Sequence, residues 1–511
     1  MKTVLLERLK KLDTPRWHSY LQGIQRGFEK ESLRVNSHQT IADTPHPVGL
    51  GSSLTHPMIT TDYSEALLEF ITPPTTDLDR PFQDLNELHQ YAYAILPDNE
   101  ILWGGSMPCH LPQNETDIPI AQYGPSHLGQ LKHIYRKGLG YRYGKAMQMI
   151  AGVHYNFSLP ISFWEAYHHL LASPEPLQDF ISAQYLHIIR NSLRLSWIFP
   201  LLFGASPATH EWIEPQATSL RLSDRGYQNR SQTNFSISYN TFSEFIQSIE
   251  HAVYTSIPAY EKIGVKVEGK YRQLSSSFFQ IEDEHYGLIR PKRVSLPEER
   301  MLTTLKKGGI EYLEVRALDL DPFSPIGIQV DTVSLIDSFL FMCLLEDSPP
   351  LTHLDEARLS QNLAAVVKEG LNPALILLDK DDQPKNMRAW GLEIITDLEK
   401  TADFLDKVYH VPRFSTACHA AKMALKDFSQ LPSSRLLSYF KKTQASYIPT
   451  LWEISLKHAQ FFKEHPLSSA KRQYYDSLAK ESLAAAEVFK NQPKDTLSFD
   501  DYLAKYLTKK D

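Results

Sequence analysis

Gln25-Arg26-Gly27-Phe28-Glu29-Lys30-Glu31-Ser32-Leu33-Arg34-Val35 is the stretch on which the reading of the chain turns. As an extended strand it sends alternate side chains to opposite faces, so Glu29 and Glu31 point the same way. Two carboxylates ~6 Å apart repel by roughly 3 kcal/mol at an effective dielectric of ~20. Solvent or a cation must offset that cost. An exposed strand with an acidic solvated face is the plainer reading and a hard-cation site the functional one. The rest of the chain decides between them.

Working outward, the same alternation recurs. Ile59 to Pro73 carries Asp62, Glu65 and Glu69 inside an apolar run, with Glu65, Leu67 and Glu69 expected on one strand face. Val153, Tyr155, Phe157 and Leu159 alternate with His154, Asn156 and Ser158, and Pro160 ends the run. Thr218–Asp224 sets Arg221 with Ser219 and Ser223, and Asn234–Ser238 sets Asn234, Ser236 and Ser238 together. In Ile310–Ala317, Tyr312, Glu314 and Arg316 oppose Leu313, Val315 and Ala317. Strands that bury one face and offer acids, arginines and a histidine on the other form an antiparallel sheet packed on one side. Their long connections predict an α+β fold rather than a βαβ repeat.

Helical spacing predicts helices over 2–12 and 82–95. Residues 128–150 show the same spacing, although Gly138, Gly140 and Gly144 weaken it. Thr44–Gly51 reads as a loop. Beyond about residue 345 the spacing turns helical, over 354–369, 395–410, 414–427, 448–463 and 469–490. The expected organisation is therefore a catalytic antiparallel-sheet region, 1–345, and a mainly helical region, 346–511, packed on it.

The net charge of −7 argues against nucleic acid or an anionic membrane as partner. Cys109, Cys343 and Cys418 lie too far apart for a disulfide framework or CxxC metal site, which points to a reducing cytoplasm. Charge interrupts the apolar run at the N-terminus at once, so no signal peptide is expected. No stretch approaches the ~20 apolar residues of a membrane helix.

Glu29, Glu31, Asp62, Glu69, Glu314 and His154 are too many for a single acid–base pair. Crowded carboxylates suit hard divalent cations, which commonly share substrate phosphates. Arg221 and Arg316 suit carboxylate or phosphoryl oxygens. Cations and arginines in one cleft point to phosphoryl transfer. The chain contains no GxxxxGK[ST], GxSxG or HExxH motif. Each residue also has a plainer role. His154 can be a hydrogen-bonded strand histidine, Asp62 a turn cap, Glu314 with Arg316 an exposed pair, and Arg221 a surface partner of Asp224.

Six segments, Gly23–Val35, Ile59–Pro73, Gly152–Pro160, Ala217–Asp224, Ile289–Val294 and Gly308–Arg316, together resemble the proteobacterial type of glutamate–cysteine ligase. The likeness runs from about residue 20 to 345. It implies a glutamine synthetase-like fold, an antiparallel sheet curved into a funnel with helices outside. It implies ATP-dependent joining of the glutamate γ-carboxylate to the cysteine amine through a γ-glutamyl phosphate, the first step of glutathione synthesis. The resemblance assigns Glu29, Glu31, Asp62, Glu69, His154 and Glu314 to Mg2+, and Mn2+ is left as the alternative ion. It assigns Arg136 and Arg316 to the transferred phosphoryl group and Arg221 to a substrate carboxylate. Tyr63, Tyr135, Leu139, Gln148, Ile150, Tyr227 and Tyr286 would line the cysteine pocket. Tyr63 stands where a relative has phenylalanine, and the segment before Ala217 is shorter than in that relative. The chain leaves no room for the ATP-grasp domain of the fused two-step enzymes, so a separate synthetase would finish glutathione. A cytoplasmic monomer is expected. The alternatives are a related glutamate ligase with another amine acceptor and a non-catalytic nucleotide- or metal-binding relative.

Overall fold

The computed structural model describes residues 2–226, 235–296, 299–491 and 497–509. Strand β1 (Gln25–Asn36) runs through the middle of the main sheet. β2 (Ile59–Thr61) and β3 (Leu67–Ile71) form a hairpin beside it, and β4 (Glu100–Leu102) pairs with its far end. β5 (Val153–Ser158) pairs its other edge. β6 (Lys266–Val267) and β7 (Lys270–Tyr271) make a separate small hairpin. β8 (Ile289–Lys292) and β9 (Tyr312–Leu318) complete the main sheet in the order β2-β3-β1-β5-β9-β8, antiparallel throughout. The α+β class with an antiparallel sheet is borne out.

Register places the acids. Glu31 stands opposite Glu69, Glu29 opposite His154, Asn156 opposite Glu314, and Glu314 opposite Arg290. Directly opposed residues in an antiparallel pair share a face, so this polar row crosses five strands on one side of the sheet. On the reverse side Phe28, Leu68, Phe70, Val153, Tyr155, Phe157, Leu313 and Val315 are buried in one apolar core. The Val330–Leu345 helix lies within that core and is buried almost all round. A helix apolar on every side shows no amphipathic period, which is why spacing did not mark it.

The helical spacing beyond residue 345 corresponds to helices His353–Glu369, Met387–Tyr409, Phe414–Lys426, Tyr447–Glu464 and Ser469–Asn491. The second of the predicted stretches, 395–410, starts earlier than expected, because Asn386 caps the helix by accepting from the Ala389 amide. A short hairpin, Ile376–Leu378 with Pro384–Asn386, interrupts the helical region.

Three local expectations fail. Ile59–Ile71 is a hairpin, not one strand, so Glu65 leaves Glu69's face. Its carboxylate accepts from the amides of His46, at 2.6 Å, and Gln122, at 2.5 Å, tying two loops to the turn. Thr218–Asp224 contains a 3-10 turn, Leu220–Leu222, in place of a strand. There Ser223 Oγ donates to Leu220 O at 2.7 Å and Ser219 Oγ to Asp319 at 2.9 Å. The Ser223 bond is local to the turn and offers the backbone an alternative to a sheet ladder. Phe235–Ser238 joins no strand, and Asn234 lies outside the described residues. The glycines of 128–150 do not stop the helix His127–Tyr143. At Gly140 an added Cβ would stand 2.5 Å from the Tyr63 hydroxyl, so the glycine permits a close approach.

Candidate active site

A cavity of about 670 Å3 opens over the polar face of the sheet. Its wall contains Glu29 and Glu31 from β1, Glu69 from β3, His154 from β5, and Glu314 with Arg316 from β9. Asp62 and Tyr63 come from the turn between β2 and β3. Tyr135, Arg136 and Leu139 come from the His127–Tyr143 helix, and Gln148 and Ile150 from the segment just after it. Arg221 enters from its 3-10 turn and Tyr286 from the loop before β8. Tyr227 lies outside the described residues. Every other site residue expected from sequence reaches this one hollow.

Burial excludes several plainer roles. Glu314 and Arg316 do pair, at 2.9 Å, but their side chains are only 1% and 18% exposed. Arg221 is buried and faces Asp319 at 3.9 Å rather than Asp224 at the surface. Gly152 leaves its guanidinium the space, since a Cβ there would lie 2.3 Å from Nη2. Arg136 donates through Nε to the Asp62 carbonyl and lies 4.6 Å from the centre of the Tyr123 ring. The Tyr123 hydroxyl donates to the Thr61 carbonyl at 2.6 Å, which fixes the Asp62 turn and the arginine together.

The acids divide into a tight and a looser group. Glu29, His154 and Glu314 offer ligand atoms all within 4.8 Å of one another. Glu31 approaches His154 Nε2 at 3.8 Å, while Asp62 and Glu69 stand further along the wall. His154 Nδ1 lies 3.3 Å from Glu29 Oε2 and 3.3 Å from Arg316 Nη1. No single proton placement serves both, because Nδ1 donates to the one or accepts from the other. Glu314 Oε2 is buried without a hydrogen-bond partner. An orphaned carboxylate oxygen, a divided imidazole and four further carboxylates fit a hard divalent cation.

Electrostatics separates the same two groups. Burial pushes Glu69 well above the usual carboxylate range, reinforced by Asp62, Glu29 and Glu31. Burial also raises Glu31; Asp62 adds to the push, while His154, Arg221 and Arg316 oppose it. Burial acts on Glu314 in the same direction, yet Lys292, Arg316, His154 and Arg290 outweigh it and hold that carboxyl well below its usual range.

Sequence reasoning missed Lys132, Lys292 and Arg290 as site residues. Arg290 and Lys292 alternate on β8 within a segment already singled out, so strand periodicity held the signal. Lys132 precedes Arg136 by one helical turn and shares the Tyr123 ring, at 5.2 Å. Its burial brings the ammonium down to about 8.

Comparison with known proteins points one way. A family model described as glutamate-cysteine ligase matches residues 9–366. The chain is 43% identical to the glutamate–cysteine ligase of Hahella chejuensis, over 99% of this chain and 100% of that protein. It is 42% identical to that of Alcanivorax borkumensis, over 95% of this chain and 96% of that protein. Among solved structures, it resembles a Francisella tularensis glutamate–cysteine ligase in complex with AMP, with TM-score 0.88, 32% identity and coverage of 95% and 97%. It also resembles a bifunctional glutathione synthetase from Pasteurella multocida, with TM-score 0.72 and 25% identity, over 91% of this chain and 56% of that one.

Proposed function

We propose how this cavity works from one premise: the chain belongs to the glutamate–cysteine ligase family. It is an ATP-dependent ligase that joins the γ-carboxylate of glutamate to the amine of cysteine. The observation that carries the assignment of roles is the convergence of all described candidate residues on one cavity.

A carboxylate resists attack by an amine. In the proposed sequence a γ-carboxylate oxygen attacks the γ-phosphorus of ATP, and ADP leaves. The cysteine nitrogen then attacks the acyl carbon of γ-glutamyl phosphate, inorganic phosphate leaves, and the nitrogen loses a proton. Arg136 and Arg316 face the transferring phosphoryl group, where fixed donors lower the cost of developing charge. Arg221 holds a substrate carboxylate; its side chain lines the cavity. Tyr63, Tyr135, Leu139, Gln148, Ile150 and Tyr286 shape the cysteine pocket. Glu29, Glu31, Asp62, Glu69, His154 and Glu314 would hold Mg2+, with Mn2+ as a substitute. The ion, when bound, supplies Lewis-acid charge neutralisation at the ATP oxygens.

The assignment extends to the whole chain. Residues 1–345 form the catalytic region and 346–511 its helical support, a monomer acting in the cytoplasm. Among the described residues no helix is long and apolar enough to cross a membrane. The direct test is product identification by mass after incubation with ATP, glutamate and cysteine. A dipeptide of glutamate and cysteine formed with phosphate release is expected. Phosphate release with another amine but not with cysteine would overturn the acceptor.

A further inference from the structure

Arg221 lines the cavity, and its guanidinium is held from within the protein. Its Nη2 donates to the Arg316 carbonyl at 2.9 Å, which locks the guanidinium to β9. Its Nη1, buried and without a hydrogen-bond partner, faces Asp319 Oδ1 at 3.9 Å, just beyond hydrogen-bonding distance. Two charges that close in a dry site would ordinarily close up into a hydrogen-bonded pair. Here the carboxylate is tethered elsewhere. Asp319 Oδ2 accepts from the Ala205 amide at 2.9 Å and the Ser206 hydroxyl at 2.6 Å, and Oδ1 accepts from Ser219 at 2.9 Å. The side chain of Asp319 is 0% exposed and that of Arg221 5%.

We infer that Asp319 is a positioning residue for the ligase reaction, held back by Ser206, Ser219 and the Ala205 amide. It stabilises the charge and angle of Arg221 without closing into a hydrogen bond with it, so that the guanidinium keeps its place in the cavity wall. The arrangement solves a specific problem. A buried guanidinium with no counter-charge is costly, whereas one fully paired has no donor left for substrate. Three donors on the carboxylate keep the pair from collapsing. The same tether explains the 3-10 turn at Leu220–Leu222. Ser219 Oγ donates to Asp319 at 2.9 Å and the Arg221 amide to Ser206 Oγ at 3.3 Å, which fixes both ends of the turn.

The inference rests on the reading of Arg221 as a carboxylate-binding residue, and the experiment separates the two. On the full-length enzyme, KM for glutamate, cysteine and ATP is measured with kcat and the melting temperature. Arg221→Lys identifies the substrate served, as the one amino acid whose KM rises. Asp319→Asn keeps the shape but removes the charge; it is expected to raise that same KM about tenfold, the scale of one charge-assisted hydrogen bond, with kcat and KM for ATP within about twofold. The Ser206→Ala/Ser219→Ala double variant keeps the charge and releases the tether, so the carboxylate can close on Nη1. It is expected to raise that KM at least about threefold, the lower range for lost hydrogen bonds, and it serves as the test if Asp319→Asn does not fold. If Arg221→Lys moves neither amino-acid KM, the reading of Arg221 falls and this inference with it. If Arg221→Lys raises one KM while folded Asp319→Asn and the double variant leave it unchanged, the role of Asp319 alone is overturned. A fall in kcat and a general rise in every KM would mark Asp319 as merely structural and overturn it equally.

Discussion

On the reverse side of β1, Arg26 donates to Asp337 at 2.6 Å, to the Ile24 carbonyl at 2.9 Å and to the Tyr409 hydroxyl at 3.0 Å. On the front side of the same sheet, Glu314 Oε2, Arg316 Nε, Arg221 Nη1 and Asn156 Oδ1 are buried with no hydrogen-bond partner. Both faces bury charge, but they finish it differently. Buried polar atoms left unsatisfied cost more than satisfied ones. A fold that satisfies Arg26 so fully has the means to satisfy its other buried charges. For Arg26 against Glu314 and Arg316, the contrast separates a polar group that holds the chain together from polar groups that line the cavity.

The sharpest way to break the contrast is to remove the satisfied charge. Arg26→Ala strands Asp337, which Arg26 pairs and the Tyr155 hydroxyl also bonds. A loss of about 3–5 kcal/mol in urea unfolding is expected, the range for breaking a buried pair from one side. A loss under about 1 kcal/mol, the value of an exposed pair, would mean that the reverse face is no more structural than the front.

The matching change on the front face should move activity and spare the fold. Glu29→Gln is expected to lower turnover at least tenfold, ~1.4 kcal/mol or more on the barrier. The carboxamide retains a carbonyl oxygen for Asn156 Nδ2, which now sits 2.8 Å from Glu29 Oε1. Urea unfolding should therefore shift by less than about 1 kcal/mol, the ordinary size of a substitution effect. Near-normal turnover would remove Glu29 from the reaction, and a large loss of stability would place it with Arg26.

Much of this was legible from alternation. Where a strand buries one side, period two puts Glu29 with Glu31, His154 with Asn156 and Glu314 with Arg316, and all of these except Asn156 line the cavity. The sequence pattern failed where side-chain hydrogen bonds outside the sheet ladder take over the backbone. Thr218–Asp224 alternates like a strand, yet Ser219 and Ser223 turn it into a 3-10 bend. Glu65 alternates with Glu69, yet two amide bonds pull it into a hairpin turn. The resemblance to a known family supplied Arg136 and the pocket residues Tyr63, Tyr135 and Gln148, whose roles periodicity does not show. Asp319 carried no signal at all. It sits one residue past β9, and its importance arises only from contacts with Ser206, Ser219 and Arg221, remote in the chain.

The subtlest test uses the cost of the open face itself. Burial and neighbouring carboxylates raise Glu69 well above its unfolded value near 4.5, so its charged form opposes folding. Glu69 therefore takes away no stability in acid, and stability declines as pH rises from about 4.5 toward the folded value. Glu314 has the opposite sign. Its folded value lies below 4.5, so its contribution is already complete above that pH and is lost only on acidification through the folded value. Between pH 5 and pH 8, then, Glu314 is silent, and among the cavity acids Glu69 and, in the same direction, Glu31 lower the stability. In chelator, Glu69→Gln is expected to match the parent at pH 5 and to exceed it at pH 8 by about 1 kcal/mol, the scale of relieving one like-charge contact. Adding Mg2+ at pH 8 should raise the melting temperature of the parent more than that of the variant, since an ion binding only the folded state stabilises it by mass action. Equal stabilities at pH 8 in chelator, or equal gains from Mg2+, would show that the front-face acids are solvated after all, and the distinction between the two sides of β1 would lose its physical basis.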